Sequence, residues 1–100
     1  MNEFDYFLVQ VHVPEESVDE MVAALQKIDV LHISVCPVTN YYKKVIGTRY
    51  SAARNLGELV VKDEVKIEVK LEKNKLGYVL HAIQSIHPYD NPTVNTIPIT

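Results

Sequence analysis

The chain has 100 residues, of which 47% are apolar and 23% charged, with a formal net charge of −3. This length suits one domain with its own core, and the negative charge argues against nucleic-acid binding through phosphate attraction. The single Cys excludes an internal disulfide, and no apolar stretch approaches the roughly 18–20 residues that cross a bilayer. We therefore expect a single cytoplasmic domain over residues 1–100, with neither nucleic acid nor a membrane as its partner.

Two apolar periodicities follow one another in the first part of the chain. Residues 7–13 are apolar at every second position, which predicts a strand with one buried face. Residues 18–25 carry apolar side chains at i, i+3, i+4 and i+7, which predicts a helix with one buried face. Pro14 and the two acidic residues after it suit the start of that helix.

A second apolar alternation covers residues 31–38 and runs on toward Tyr41–Ile46, which predicts another strand. Residues 41–57 then carry four basic residues and no acidic one. Two interpretations stay open for this segment. It is either a mobile loop that captures a small anionic ligand or a hairpin extension whose basic side chains are solvated. In the first case the contacts would come from Lys43, Lys44 and Arg49.

The apolar pattern of the first half recurs 58 positions later, although few residues are identical. Residues 65–71 therefore predict a strand, and residues 76–86 predict a helix. Asn74 is expected to cap this helix, and Pro88 to end it, because a proline disfavours helical geometry in the residue before it. Residues 93–99 predict a last strand.

The element order β-α-β, a long connection and β-α-β predicts an α+β fold of the ferredoxin-like βαββαβ type. In this fold, two helices cover one face of a four-stranded antiparallel sheet. The other face is either solvated or a polar subunit interface. We call it the open face and expect it to carry Gln10, His12, His32, Ser34, Cys36, Lys66, Glu68 and Lys70.

Three of these residues, His12, His32 and Cys36, could share a divalent metal ion, because imidazole and thiolate suit zinc or copper. No HxH, HxxxH, CxxC or HExxH pair forms such a site locally. Isolated histidines on a half-exposed sheet are therefore the alternative.

Sequence signatures of catalysis are missing. The chain has no nucleophile elbow, no metal-hydrolase motif and no Gly-rich phosphate loop. We therefore expect a protein that is not an enzyme.

The segment from His87 to Pro92 is the sharpest local motif. His87 and Pro88 suit a helix end, Tyr89 can pack against the sheet, and Asp90 can form an Asx-turn. Pro92 commits the chain to extended geometry. A purely structural role can therefore explain each residue of this motif. The alternative is an interface or small-ligand site formed by His87, Tyr89, Asp90 and Pro92.

This motif resembles the HPYE-x-P turn of two related groups, with Asp90 in place of Glu. One is the CutA divalent-cation-tolerance family, and the other is the domain inserted in Nif-three-like (NGG-interacting-factor-like) proteins. Residues 7–25 and 63–69 are also similar to the second group. The resemblance covers roughly residues 5–38 and 58–99, and both groups are similar in fold to the trimeric PII signalling proteins.

The resemblance implies a non-enzymatic, ligand-sensing or regulatory domain that assembles into a homo-oligomer, expected to be a trimer. The alternative it implies is a copper- or zinc-binding protein related to cation tolerance. A divalent metal ion is accordingly the one candidate cofactor. The paired metal centre of Nif-three-like proteins lies in flanking domains outside this sequence, so their hydrolase-like role is not implied.

Overall fold

The computed structural model describes residues 5–43, 59–88 and 92–99, together with the backbone of 54–56. A single 3₁₀ turn precedes each of its two α-helices. The elements in chain order are β1 (Tyr6–Val13), α1 (Val18–Lys27), β2 (His32–Lys43), β3 (Arg54–Leu56), β4 (Leu59–Glu72), α2 (Leu76–Ile86) and β5 (Val94–Ile99).

The strands form one antiparallel sheet in the order β2-β4-β1-β5. Its four long strands and two helices confirm the predicted ferredoxin-like fold. A fifth strand, β3, was not predicted, and it pairs with β4 beyond the end of β1. The strand β4 is also longer than expected, because it spans Leu59–Glu72 rather than residues 65–71.

The core lies between the sheet and the two helices. Val9 faces Val69 and Val11 faces Ile67 across the β1–β4 pair, and all four side chains are fully buried. The helices contribute a further four buried side chains, which are Met21, Leu25, Val79 and Ile83. Complete burial of one such side chain stabilises the fold by about 1.5–3 kcal/mol. A register slip of one residue would expose the whole set, so this core fixes the register.

The two halves repeat at the predicted offset. The turns Glu15–Ser17 and Lys73–Lys75 lie 58 positions apart, as do the starts of α1 and α2. Because these turns intervene, Pro14 begins a 3₁₀ turn rather than α1 itself. The expected cap was wrong for the same reason: Asn74 lies within the turn, and Lys75 occupies the N-cap position without a side-chain hydrogen bond.

The end of α2 follows the prediction. The helix ends at Ile86, and His87 has extended geometry with ψ of 131° because Pro88 follows it. The described residues include no helix long and apolar enough to cross a bilayer.

The strand β2 is an edge of the sheet. Over the residues that the structure describes, β4 pairs with one side of β2 and no strand pairs with its other side. Leu31 and Val35 lie in helix-facing register, yet they are 50% and 47% exposed. The helices therefore cover the centre of the sheet and leave this edge uncovered.

Candidate functional site

Buried charge concentrates where β2 and β4 continue past the end of β1. Among the described residues, the buried polar or charged side chains are Lys62, Glu64 and His87. Charged side chains are rarely buried unless they are paired, and clusters of buried titratable groups mark candidate functional sites. This end of the sheet is therefore the candidate site.

Four polar side chains form a hydrogen-bond network there. His12 lies at the end of β1, Asn40 and Tyr42 lie on β2, and Glu64 lies on β4. Because side chains alternate along a strand, the pairing register places all four on the open face. We call these four residues the polar network.

Glu64 is the acceptor at the centre of the polar network. Its Oε1 accepts a hydrogen bond of 2.8 Å from Asn40 Nδ2 and one of 2.5 Å from the Tyr42 hydroxyl. Asn40 Nδ2 also lies 3.0 Å from Nδ1 of His12 and 3.3 Å from the Tyr42 hydroxyl. Two donors on one carboxylate oxygen offset the cost of burying Glu64, which is only 3% exposed.

His87 connects α2 to the same place from the helix side. Its Nε2 donates a hydrogen bond of 2.6 Å to the backbone carbonyl of His12. Burial lowers the pKa of His87, while the bond to His12 and the Glu64 carboxylate act in the opposite direction and Lys62 lowers it further. The structure thus gives His87 the helix-ending role that the sequence indicated.

Lys62 is the third buried titratable residue of this region, after Glu64 and His87. Burial lowers its pKa, and the carboxylates of Glu64 and Glu16 act against that shift. Its position two residues from Glu64 on β4 puts an ammonium beside the polar network. Opposite charges therefore occur together in this region, as expected for buried ionisable groups.

The open face carries the polar residues predicted for it. Four of them are partly buried, namely Gln10, His12, Lys66 and Glu68. The other four are exposed, namely His32, Ser34, Cys36 and Lys70. Lys66 Nζ lies 2.9 Å from Glu68 Oε1, and this contact raises the pKa of Lys66 and lowers that of Glu68.

The three predicted metal ligands do not meet within one chain. His12 and Cys36 both lie opposite Lys66, but on different sides of β4, so their backbones are about 9–10 Å apart. His32 lies opposite Lys70, four residues from Cys36, or about 13 Å along the strand. The described residues contain no group of three His, Cys, Asp or Glu that could hold a metal ion.

The predicted ligand or interface residues are placed only in part. Lys43 is exposed at the end of β2 opposite Leu59, and its odd register turns it away from the open face. Pro92 is half-buried just before β5. Tyr89, Asp90, Lys44 and Arg49 lie outside the described residues, so their predicted roles stay predictions.

Sequence analysis missed Asn40, Tyr42, Lys62 and Glu64. A signal for them existed, because they continue the even register of Cys36 on β2 and of Lys66 on β4. Lys62 and Glu64 precede the strand predicted over residues 65–71, so the predicted alternation assigned them to neither face.

A depression of about 330 Å³ lies beside the β2–β4 pair at this end of the sheet. Its lining includes the acidic residues Glu15, Asp63 and Glu64, and Asp63 accepts a 3.1 Å hydrogen bond from Thr39. Acidic walls repel an anion. His12, Lys66 and Lys70 lie on the open face outside this depression and are therefore better placed to contact an anionic ligand.

Comparison with known proteins identifies the fold. No family model matches the chain, and no curated protein matches its sequence. Solved structures do match. A Bacillus cereus protein related to NIF3 has a TM-score of 0.80 at 21% identity, over 99% of this chain and 27% of that one. The present chain thus spans about a quarter of that protein.

Two further structures match over most of both chains. The divalent ion tolerance protein CutA1 from Ehrlichia chaffeensis has a TM-score of 0.73 at 20% identity, over 99% of this chain and 85% of that one. GlnK from B. subtilis has a TM-score of 0.72 at 19% identity, over 96% and 86%. The chain therefore has the CutA-like and PII-like fold that the His87–Pro92 motif indicated.

Proposed function

We propose that this chain is a non-enzymatic domain that binds a small ligand and acts as a cytoplasmic homo-oligomer, specifically a trimer. The observation that carries the proposal is the uncovered edge strand β2. Its 12 residues leave one backbone edge unpaired within the described part of the chain, and Val35 and Tyr41 on the strand and Leu31 just before it are exposed. Proteins usually cover a long apolar edge, and a second copy of the chain is one cover.

The fold and the open face support this proposal. The CutA1 and GlnK structures share the fold, and the resemblance to the trimeric PII signalling proteins is the reason for proposing three subunits. The open face has partly buried Gln10 and His12 on β1 and partly buried Lys66 on β4, the strand that pairs with β2. A small ligand held at Lys66 would lie one strand away from an interface formed by β2.

The assembly is tested by size-exclusion chromatography with light scattering at micromolar concentration. We expect a mass three times the 11.4 kDa of one chain. Val35→Lys should shift the protein toward the monomer, because it places a charge on the apolar edge. Tyr78→Lys is the matched control, since Tyr78 is 68% exposed on α2, away from β2. A strictly monomeric wild type would remove the proposed assembly.

Ligand binding is tested by equilibrium dialysis and thermal shift against nucleotides and small carboxylates. A ligand at 100 times its Kd adds about 2.7 kcal/mol to the free energy of unfolding. If no compound of the panel raises the melting temperature, the ligand-binding part of the proposal is wrong and only the proposed assembly is left. Turnover of a bound nucleotide would contradict the non-enzymatic part.

A divalent-cation role is the second candidate. The observation that favours it is the fold, which this chain shares with a divalent ion tolerance protein; His12 and Cys36, on either side of Lys66, are the residues to test. Copper or zinc titration into the wild type and a His12→Ala/Cys36→Ala double variant tests it. Equal, weak binding by both proteins would count against this candidate.

A further inference from the structure

We propose that Asn40 holds the His12 ring with its proton on Nε2, so that His12 donates a hydrogen bond to an oxyanion and is not free to bind a metal. This inference rests on the small-ligand role proposed above, and it assigns the ligand a chemical class. The observation that supports it is the hydrogen-bond geometry of the polar network.

The orientation of the Asn40 amide is the first step. Its nitrogen lies 2.8 Å from Glu64 Oε1, and an ionised carboxylate can only accept hydrogen bonds. The amide nitrogen must therefore face Glu64, since the amide oxygen would meet another acceptor there. The Tyr42 hydroxyl donates to the same oxygen, which helps to fix the carboxylate in place.

The protonation of His12 follows from that orientation. The same amide nitrogen lies 3.0 Å from His12 Nδ1 and 3.3 Å from the Tyr42 hydroxyl, so its second hydrogen points to the nearer His12, and an NH₂ nitrogen cannot accept a proton from Nδ1. Nδ1 must then be an acceptor, and the single ring proton of a neutral imidazole lies on Nε2. Asn40 thus acts as a positioning residue that selects the His12 tautomer.

This arrangement is the reverse of that around a metal-binding histidine. There, one ring nitrogen binds the metal and the other donates its N–H to a carboxylate, carbonyl or water. In this chain, Nδ1 receives a hydrogen bond from Asn40, and Nε2 carries the proton. Neither nitrogen can bind a metal ion without breaking the polar network.

The surroundings of His12 favour an oxygen anion as its partner. The Lys66 ammonium is cross-strand from His12 on the open face and keeps part of its surface exposed. Its present partner is Glu68 at 2.9 Å, so a bound anion would share Lys66 with that carboxylate. An N–H donor beside an ammonium suits a carboxylate or phosphate group.

The tautomer can be measured without any ligand. Long-range ¹H–¹⁵N spectra of labelled protein at alkaline pH distinguish the two neutral forms, and His12→Ala assigns the signals. We expect the pattern of a ring protonated on Nε2. A ring protonated on Nδ1 would overturn the inference, whatever the oligomeric state or ligand of the protein proves to be.

A paired substitution reverses the network while keeping the net charge. In Asn40→Asp/Glu64→Gln, residue 64 becomes the donor and residue 40 accepts from both neighbours, so the His12 proton should move to Nδ1. Nε2 is then free, and we expect zinc affinity to rise about 10-fold or more, the scale of second-shell effects on metal sites. The rise should vanish when His12→Ala is added. A changed tautomer with unchanged zinc affinity would contradict the metal part.

The anion is tested with inorganic phosphate and acetate as probes, which separates phosphate from carboxylate preference. Either anion should shift the His12 Nε2 and Lys66 Nζ signals of the wild type, and Lys66→Met should weaken the shift. An Nε2-protonated His12 that responds to neither anion would overturn the oxyanion part. A monomeric wild type that passes these tests would instead refute only the proposed assembly.

Discussion

The imidazole of His87 and the backbone of His12 are joined by a hydrogen bond of 2.6 Å between Nε2 and the carbonyl oxygen. This bond connects the end of α2 to the end of β1, across 75 positions of sequence. The side chain is buried, so water cannot readily replace it if it is lost. The hydrogen bond therefore holds the end of α2 against the end of β1 at the candidate site.

We expect His87→Ala to lower the free energy of unfolding by about 1–3 kcal/mol, because the part-buried carbonyl of His12 loses its donor. His87→Gln should retain part of that stability, since its amide N–H can still donate. Urea denaturation measures both. His81→Ala is the control, because His81 is exposed on the same helix and should change stability by less than about 0.5 kcal/mol. Equal losses at positions 81 and 87 would contradict the role of the bond.

The same residue predicts a pH dependence. Burial lowers the pKa of folded His87, so the unfolded chain, with a pKa of about 6.5 for this group, takes up the proton first as pH falls. The contribution of neutral His87 is complete above about pH 6.5 and is lost as pH falls toward the folded-state pKa. Urea denaturation should therefore show a steeper loss below that pH for the wild type than for His87→Gln. His81→Gln should keep the steep wild-type profile.

The core predicts a large effect of truncation at the centre of the sheet. Ile67 on β4 is fully buried in the core, opposite Val11 of β1, and Ile67→Ala should cost about 2–5 kcal/mol. Ile97 on β5 is the matched control, because it is 41% exposed and Ile97→Ala removes the same atoms from a partly solvated site. Equilibrium unfolding measures both. Similar costs would show that the core is not where the structure places it.

The fold could be predicted because its evidence is local. Strict alternation places Val9 and Ile67 on one face, and only one register buries them together. The apolar stripes of α1 and α2 then need that same face. The pairing of residues 7–13 with residues 65–71 at the centre of the sheet can thus be predicted from their apolar patterns alone.

The candidate site could be predicted only in part, because its contacts depend on tertiary pairing. Lys62 and Glu64 look like solvated charges in the sequence, and their burial follows from how far β4 extends along β2. The partner of His87 is the backbone carbonyl of His12. Every residue has such a carbonyl, so no side chain in the sequence indicates this contact. His12 was singled out, but Asn40, which orients its ring, was not.

The polar network predicts that two adjacent tyrosines have different effects. The Tyr42 hydroxyl donates to buried Glu64, whereas the Tyr41 side chain is 65% exposed. Tyr42→Phe removes one donor from a buried carboxylate, and we expect a loss of about 1–3 kcal/mol in the free energy of unfolding.

Tyr41→Phe removes the same atom from a solvated ring, and its effect should stay within about 0.5 kcal/mol. Urea denaturation of both variants gives the comparison. A Glu64→Gln background supplies the coupling: with the carboxylate gone, the cost of Tyr42→Phe should shrink, since the hydroxyl no longer compensates a buried charge. An unchanged cost in that background would mean that Tyr42 stabilises the sheet by packing alone.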